Sequence, residues 1–246
     1  MINIEIKGDI IEDDSQWIYD WIGWSYTSPK NVINKLKEAN GQPVILKINS
    51  PGGSVFAASE IYTELRNYSG EVNIQIVGLA ASAASVIAMA GKSSMSPTAQ
   101  LMVHNVSTSA GGDYRVMEHT AEVLKNANDT IANAYISKSG MTRKEALSLM
   151  DKESYLSAQQ AKELGLIDEI MFENSIPNKL TNNVNLKLYN SLSSIPENIL
   201  NLIHQSNNQV TNQPIVNKND MVDIFMQQKA QAELDMLNML KIGGIK

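Results

Sequence analysis

Val44-Ile-Leu-Lys-Ile48-Asn-Ser-Pro-Gly-Gly53-Ser54-Val55 decides how this chain is to be read. Its first five residues have the apolar, β-branched character of a buried strand. Its last residues open a helical pattern that runs to about Tyr68, and two glycines sit at the junction. A strand that passes directly into a helix, and is followed by another strand at Val72–Val77, implies a parallel sheet flanked by helices. The same alternation extends in both directions. Ile2–Ile6 reads as a strand and Pro29–Asn40 as a helix, followed downstream by a small-residue helix Ser82–Ala90 and a strand Leu101–Val103. A long helix Tyr114–Ser137 comes next, then helices Thr142–Met150 and Ala158–Leu164, before Gly165 leads into Leu166–Met171. The fold class is α/β.

From Glu173 the texture changes. Thirteen asparagines and the prolines at 177, 196 and 214 fall between 173 and 219, which reads as an Asn-rich linker with a short helix near 196–204. Residues 220–246 carry an amphipathic helix with Met221, Ile224, Phe225, Leu234, Leu237 and Leu240 on one face. Such a helix docks on its own subunit, on a neighbouring copy, or on a partner protein. The expected organisation is therefore 1–172 as the catalytic unit, 173–219 as linker and 220–246 as terminal helix.

Composition narrows the chemistry. Twenty basic and 26 acidic side chains among 246 residues give a net charge of −6, which argues against a nucleic-acid partner. The absence of cysteine excludes disulfides, thiol nucleophiles and Cys-ligated metals. Three scattered histidines, His104, His119 and His204, do not compose a metal cage, so neither metal nor cofactor is expected. The alternating start Met1–Gly8 lacks the order of a signal peptide, and Ile76–Gly91 is too short and too rich in alanine and serine to span a bilayer. The expectation is a cytoplasmic protein without a membrane partner.

Two segments look specialised. In Ser50-Pro-Gly-Gly53, glycines at a strand-to-helix junction let backbone N–H groups turn toward a ligand, as an oxyanion hole requires. In Gly78-Leu-Ala-Ala-Ser82-Ala83, a serine opens a helix whose dipole favours a developing negative charge. An N-capping serine is the ordinary alternative for Ser82. The pattern is not the Gly-x-Ser-x-Gly elbow of α/β-hydrolases. His104, at the end of a short strand, is the candidate base. Asp151 and Glu153, before Tyr155-Leu-Ser-Ala158, are the candidate acids that would hold the imidazole.

Taken in order, Ser50-Pro-Gly-Gly53, Gly78-Leu-Ala-Ala-Ser82, Met102-Val-His104, the acid before Tyr155-Leu-Ser-Ala158 and Gly165-Leu-Ile-Asp168 resemble the Clp proteolytic subunit family (ClpP, peptidase family S14) across residues 2–172. The resemblance implies a ClpP/crotonase-like fold of repeated β-β-α units, here with a mostly irregular and helical C-terminal extension. It also implies serine endopeptidase chemistry on protein or peptide substrates within homo-oligomeric rings, heptameric or stacked. Carried over residue by residue, Ser82 stands at the nucleophile, His104 at the base, and Gly53 and Ala83 at the oxyanion hole. The family's catalytic aspartate falls on Glu153, with Asp151 as fallback, and its Arg-Asp pair is replaced by Lys152-Glu153.

The start almost at the first strand leads to the expectation of no extension forming axial loops toward an ATPase, and the sequence continues past Phe172. These departures resemble the Clp-like head maturation proteases of tailed phages and prophages, which implies capsid or scaffold proteins as partners and the host cytoplasm as location. No Gly-x-x-x-x-Gly-Lys-Ser/Thr loop is present, so a Clp ATPase would have to supply any ATP dependence. The helix Tyr114–Ser137 matches the family's handle, which packs rings face to face. Two other readings are an acyl-CoA hydratase or isomerase of the same fold, and a non-catalytic capsid-assembly platform.

Overall fold

A computed structural model describes residues 2–173; the linker, His204 and the terminal amphipathic helix lie outside the described residues. Strands β1 (Ile2–Ile10), β2 (Tyr26–Thr27), β3 (Val44–Gly53), β4 (Val72–Ala81), β5 (Lys92–Met95), β6 (Gln100–Val103), β7 (Ser154–Ser157) and β8 (Glu169–Ile170) form one sheet. The helices are α1 (Gln16–Ile22), α2 (Pro29–Ala39), α3 (Val55–Asn67), α4 (Ala83–Ala88), α5 (Tyr114–Ser139), α6 (Arg143–Asp151) and α7 (Ala158–Glu163). The main path runs β2-β1-β3-β4-β5-β8, all parallel. This is the mixed α/β architecture that the alternation of strand and helix predicts.

Alternation along the central strands sets the layers. Ile4 and Ile6, then Val44, Leu46 and Ile48, then Ile74 and Ile76 are buried on one face, where they meet Val32 and Leu36 of α2 and Ala57, Ala58, Ile61 and Leu65 of α3. Lys7, Lys47, Asn73 and Gln75 alternate with them and remain half-buried or exposed. The helices begin where side chains satisfy their first N–H groups. Ser28 caps α2 ahead of Pro29, Asp113 caps α5, and Thr142–Glu145 and Ser157–Gln160 form capping boxes on α6 and α7.

The sheet forks at β4. Asn73–Ile76 pair with β5, whereas Leu79–Ala81 pair with β6, and β7 then adds antiparallel to β6. At the fork the β3–β4 register jumps from Ile48↔Ile76 to Ser50↔Ala80, so β4 carries two more residues than β3 across the gap. The Asn49 side chain bridges it, accepting the Leu79 N–H at 3.1 Å. A Cβ on Gly78 would lie 2.4 Å from Asn49 Oδ1, so the bridge relies on glycine there. The consequence is that β4 and β6 end side by side.

Several elements depart from the sequence expectation. The helix α1, the short β2 and the strands β5 and β7 are additions, and α5 continues two residues past Ser137, ending at Gly140 with φ 75°.

Candidate active site

Ser82 follows the last residue of β4, and His104 the last residue of β6. Because Ala81 pairs with Met102, the two side chains emerge together, and His104 Nε2 lies 2.7 Å from Ser82 Oγ. Ser82 occupies the N-cap position of α4 but makes no side-chain capping bond. Its hydroxyl is directed at the imidazole, so the capping alternative does not describe it.

The backbone of Ser82 is unusual, with φ 52° and ψ −124°. A non-glycine residue holds such a conformation only when its surroundings over-determine it. Here the Ser82 N–H donates to Met102 O at 3.0 Å, and the Ser82 carbonyl accepts both the backbone N–H and the hydroxyl of Ser85, at 3.0 and 2.6 Å. Behind the serine, a Cβ on Gly52 would stand 2.7 Å from both Ala81 O and Ser82 Cβ, so only glycine fits this turn. Ser50, which is buried, donates to Gly8 O and accepts from the Gly52 N–H, pinning the turn to β1.

The acids separate. In the antiparallel β6–β7 pair Val103 stands opposite Ser154, so His104, just after β6, and Glu153, just before β7, flank the same end of the ladder. Glu153 itself sits at φ 49° between α6 and β7. Its carboxylate acts on the imidazole through charge, and among the described residues it makes no hydrogen bond to the ring. Asp151 is engaged elsewhere, with Oδ1 accepting from Asn105 Nδ2 at 2.9 Å. Burial holds His104 below the ordinary histidine range, and the Glu153 charge opposes this in part. At neutral pH the ring is therefore uncharged. A neutral ring that accepts the Ser82 hydroxyl proton at Nε2 carries its own proton on Nδ1.

Gly53 and Ala83 line a cleft beside Ser82 and His104, with Val86, Val106, Ile131 and Tyr135 as its apolar wall. Ala83 is the first residue of α4, where an N–H has no acceptor within its own helix. Among the described residues no group of three or more His, Asp or Glu side chains is placed to hold a metal, and no helix is long and apolar enough to cross a membrane. His119 is exposed on α5, away from the cleft lining.

Among known proteins, the family model described as Clp protease matches residues 28–174. The chain belongs to the Clp protease family. It is 34% identical over 138 residues to the ATP-dependent Clp protease proteolytic subunit 1 of Chlamydia muridarum, covering 54% of this chain and 71% of that one. To the ATP-dependent Clp protease proteolytic subunit of Bacteroides fragilis (strain ATCC 25285) it is 33% identical over 136 residues, covering 54% and 66%. The matched region contains every candidate site residue from Gly53 to Glu153, and family membership is consistent with the parallel sheet described above.

Sequence reasoning did not find the Ser85–Tyr135 contact of 2.8 Å or the Asn105–Asp151 bond. Their partners are 50 and 46 residues apart, and no local pattern links them.

Proposed function

We propose that this chain is a serine endopeptidase in which Ser82 is the nucleophile, His104 the general base, Glu153 the acid that stabilises the imidazolium, and the Gly53 and Ala83 N–H groups the oxyanion donors. The observation that carries the reading is the 2.7 Å contact between His104 Nε2 and an otherwise uncommitted Ser82 hydroxyl. As Ser82 Oγ attacks a peptide carbonyl, its proton passes to Nε2, and the carbonyl electron pair moves onto the oxygen facing the two N–H donors. The imidazolium returns that proton to the leaving amine as the C–N bond breaks, leaving an acyl ester on Ser82. Water, deprotonated by the same ring, attacks the ester and releases the carboxylic acid. Glu153 takes the acid role because its charge reaches His104, whereas Asp151 is held by Asn105.

The test is direct. A fluorophosphonate probe should label Ser82, as read by mass spectrometry, and Ser82→Ala should lower peptide hydrolysis at least about a thousandfold. Hydrolysis surviving in Ser82→Ala would reject the assignment. Labelling of the wild type also separates this reading from an acyl-CoA hydratase, which needs carboxylates in the cleft. It likewise separates it from a non-catalytic platform.

For the substrate we propose capsid or scaffold protein cleaved during phage head assembly by a homo-oligomeric ring. Support comes from the Lys152-Glu153 pair and from the extension beyond Phe172. The names of the relatives favour a second reading, a proteolytic subunit working with an ATPase. Cleavage of co-expressed capsid or scaffold protein without ATP supports the first; degradation of an unfolded protein only with ATP and a Clp ATPase supports the second.

A further inference from the structure

The Ser82 carbonyl and the Ala83 N–H belong to one planar trans peptide unit and point in opposite directions. Whatever grips the carbonyl therefore aims the N–H. The grip is Ser85, which donates twice to Ser82 O, from its N–H at 3.0 Å and its hydroxyl at 2.6 Å. Ser85 has one hydroxyl proton, and a carbonyl can only accept, so that proton is committed to Ser82 O. In the 2.8 Å contact between Ser85 Oγ and Tyr135 OH the phenol must then be the donor. The order is Tyr135 O–H to Ser85 Oγ, Ser85 O–H to Ser82 O, and, across the peptide plane, Ala83 N–H toward the cleft.

Both side chains are buried, Ser85 at 0% and Tyr135 at 2% exposure, and Tyr135 stands in the cleft wall beside the apolar Val86, Val106 and Ile131. Placing two hydroxyls there costs desolvation that a phenylalanine and an alanine would avoid. Packing alone does not account for them. A hydrogen-bond chain ending on the carbonyl does two things. It fixes a peptide whose first residue sits at φ 52°, and it polarises the peptide so that its N–H is the stronger donor.

We propose that Tyr135 and Ser85 are positioning residues of the oxyanion hole, which aim and polarise the Ala83 N–H through the Ser82–Ala83 peptide. The inference rests on the serine peptidase reading above and adds to it two residues that make no hydrogen bond to the Ser82 hydroxyl. Burial keeps the phenol protonated at all working pH values, with its pKa pushed up to about 12.

The experiment compares wild type, Ser82→Ala, Tyr135→Phe, Ser85→Ala and the double variant Ser85→Ala/Tyr135→Phe. Each is assayed for kcat and KM on a fluorogenic peptide, for inhibition by a peptide boronate whose tetrahedral adduct places an oxygen at the donor, and for thermal midpoint. Loss of a whole oxyanion donor costs about a hundredfold or more in kcat, so misaiming one should cost about tenfold. Tyr135→Phe is expected to lower kcat by about tenfold with KM within about twofold, and to weaken the boronate by the same factor as kcat. The acid limb of the pH profile should not move, because His104 is untouched. The double variant should be no slower than Ser85→Ala, since both lesions break one chain.

Wild-type kcat in both single variants, additive losses in the double, or a loss confined to KM would overturn the proposal. A merely structural role would lower the thermal midpoint in proportion to activity and leave the boronate affinity of the folded fraction unchanged. If Ser82→Ala stays active, the peptidase reading itself has failed, and that result is distinct from the others.

Discussion

His104 is subject to opposing influences, and their signs give a pH dependence. Burial disfavours the imidazolium and is the larger; the Glu153 carboxylate favours it and is the smaller. The base form therefore persists to lower pH than for a free histidine near 6.5. In kcat/KM for a neutral peptide, the acid limb should fall at an apparent pKa below 6.5. Glu153→Gln removes the influence that raises the pKa, so the limb should shift further toward acid while the plateau falls, since the imidazolium of the transition state loses its counter-charge. Asp151→Asn should leave both limb and plateau nearly unchanged, because Asn105 holds that carboxylate away from the ring. An Asp151→Asn profile that moves as Glu153→Gln is expected to move would reassign the acid. The same shift has a stability consequence. With a folded-state pKa below the unfolded one, the unfolded chain binds the extra proton first. The contribution of His104 is thus intact above about pH 6.5 and is lost as pH falls toward the folded pKa.

Among the elements, the turn between β3 and α3 and the fork in β4 bring the site together, and here glycine has a measurable role. A methyl on Gly52 would lie 2.7 Å from Ala81 O and Ser82 Cβ and 3.0 Å from Ala83 N, at φ 104°. Those atoms are backbone or nucleophile, with no flexible side chain to yield. Gly52→Ala should therefore cost about a hundredfold or more in kcat/KM, the scale of a lost oxyanion donor. Gly111→Ala, where a Cβ meets nothing within 4 Å, should retain wild-type activity. Equal activity in the two variants would show that the turn does not set the site. The long apolar strands β1, β3 and β4 and the helices α2, α3 and α5 are legible in the sequence because their periodicity is sustained. The strands β5 and β7 are not, since Lys92-Ser-Ser-Met95 and Ser154-Tyr-Leu-Ser157 are four residues each and largely polar, and only pairing with β4, β8 and β6 makes them strands. Motif order likewise marks Ser82, His104 and Glu153, while Tyr135 reads only as one more apolar position on a helix.

At the scale of the whole molecule, α5 joins the site to the outside. Its 26 residues make a rod about 39 Å long, yet its buried residues are Ile131, Ala132, Ala134 and Tyr135, all in the second half. The first half exposes Tyr114, Val116, Met117 and Val123, at 70, 42, 43 and 52%. An isolated helical segment of that length is marginal in water, and an apolar set on it gains most by meeting a second copy, as the proposed ring assembly requires. Met117→Glu/Val123→Glu should then lower the particle mass in light scattering without unfolding the body, whose core lies elsewhere. The same helix carries Tyr135, the start of the hydrogen-bond chain to the Ser82–Ala83 peptide. In the proposed ring, anchoring the outer half of α5 would steady the inner half, and with it the proposed oxyanion donor. The dispersed double variant should therefore react with a fluorophosphonate more slowly than the assembled wild type, and adding Tyr135→Phe to it should slow labelling less than adding Tyr135→Phe to the wild type does. Equal masses would remove α5 from the assembly, and equal labelling rates at unequal masses would uncouple assembly from the site.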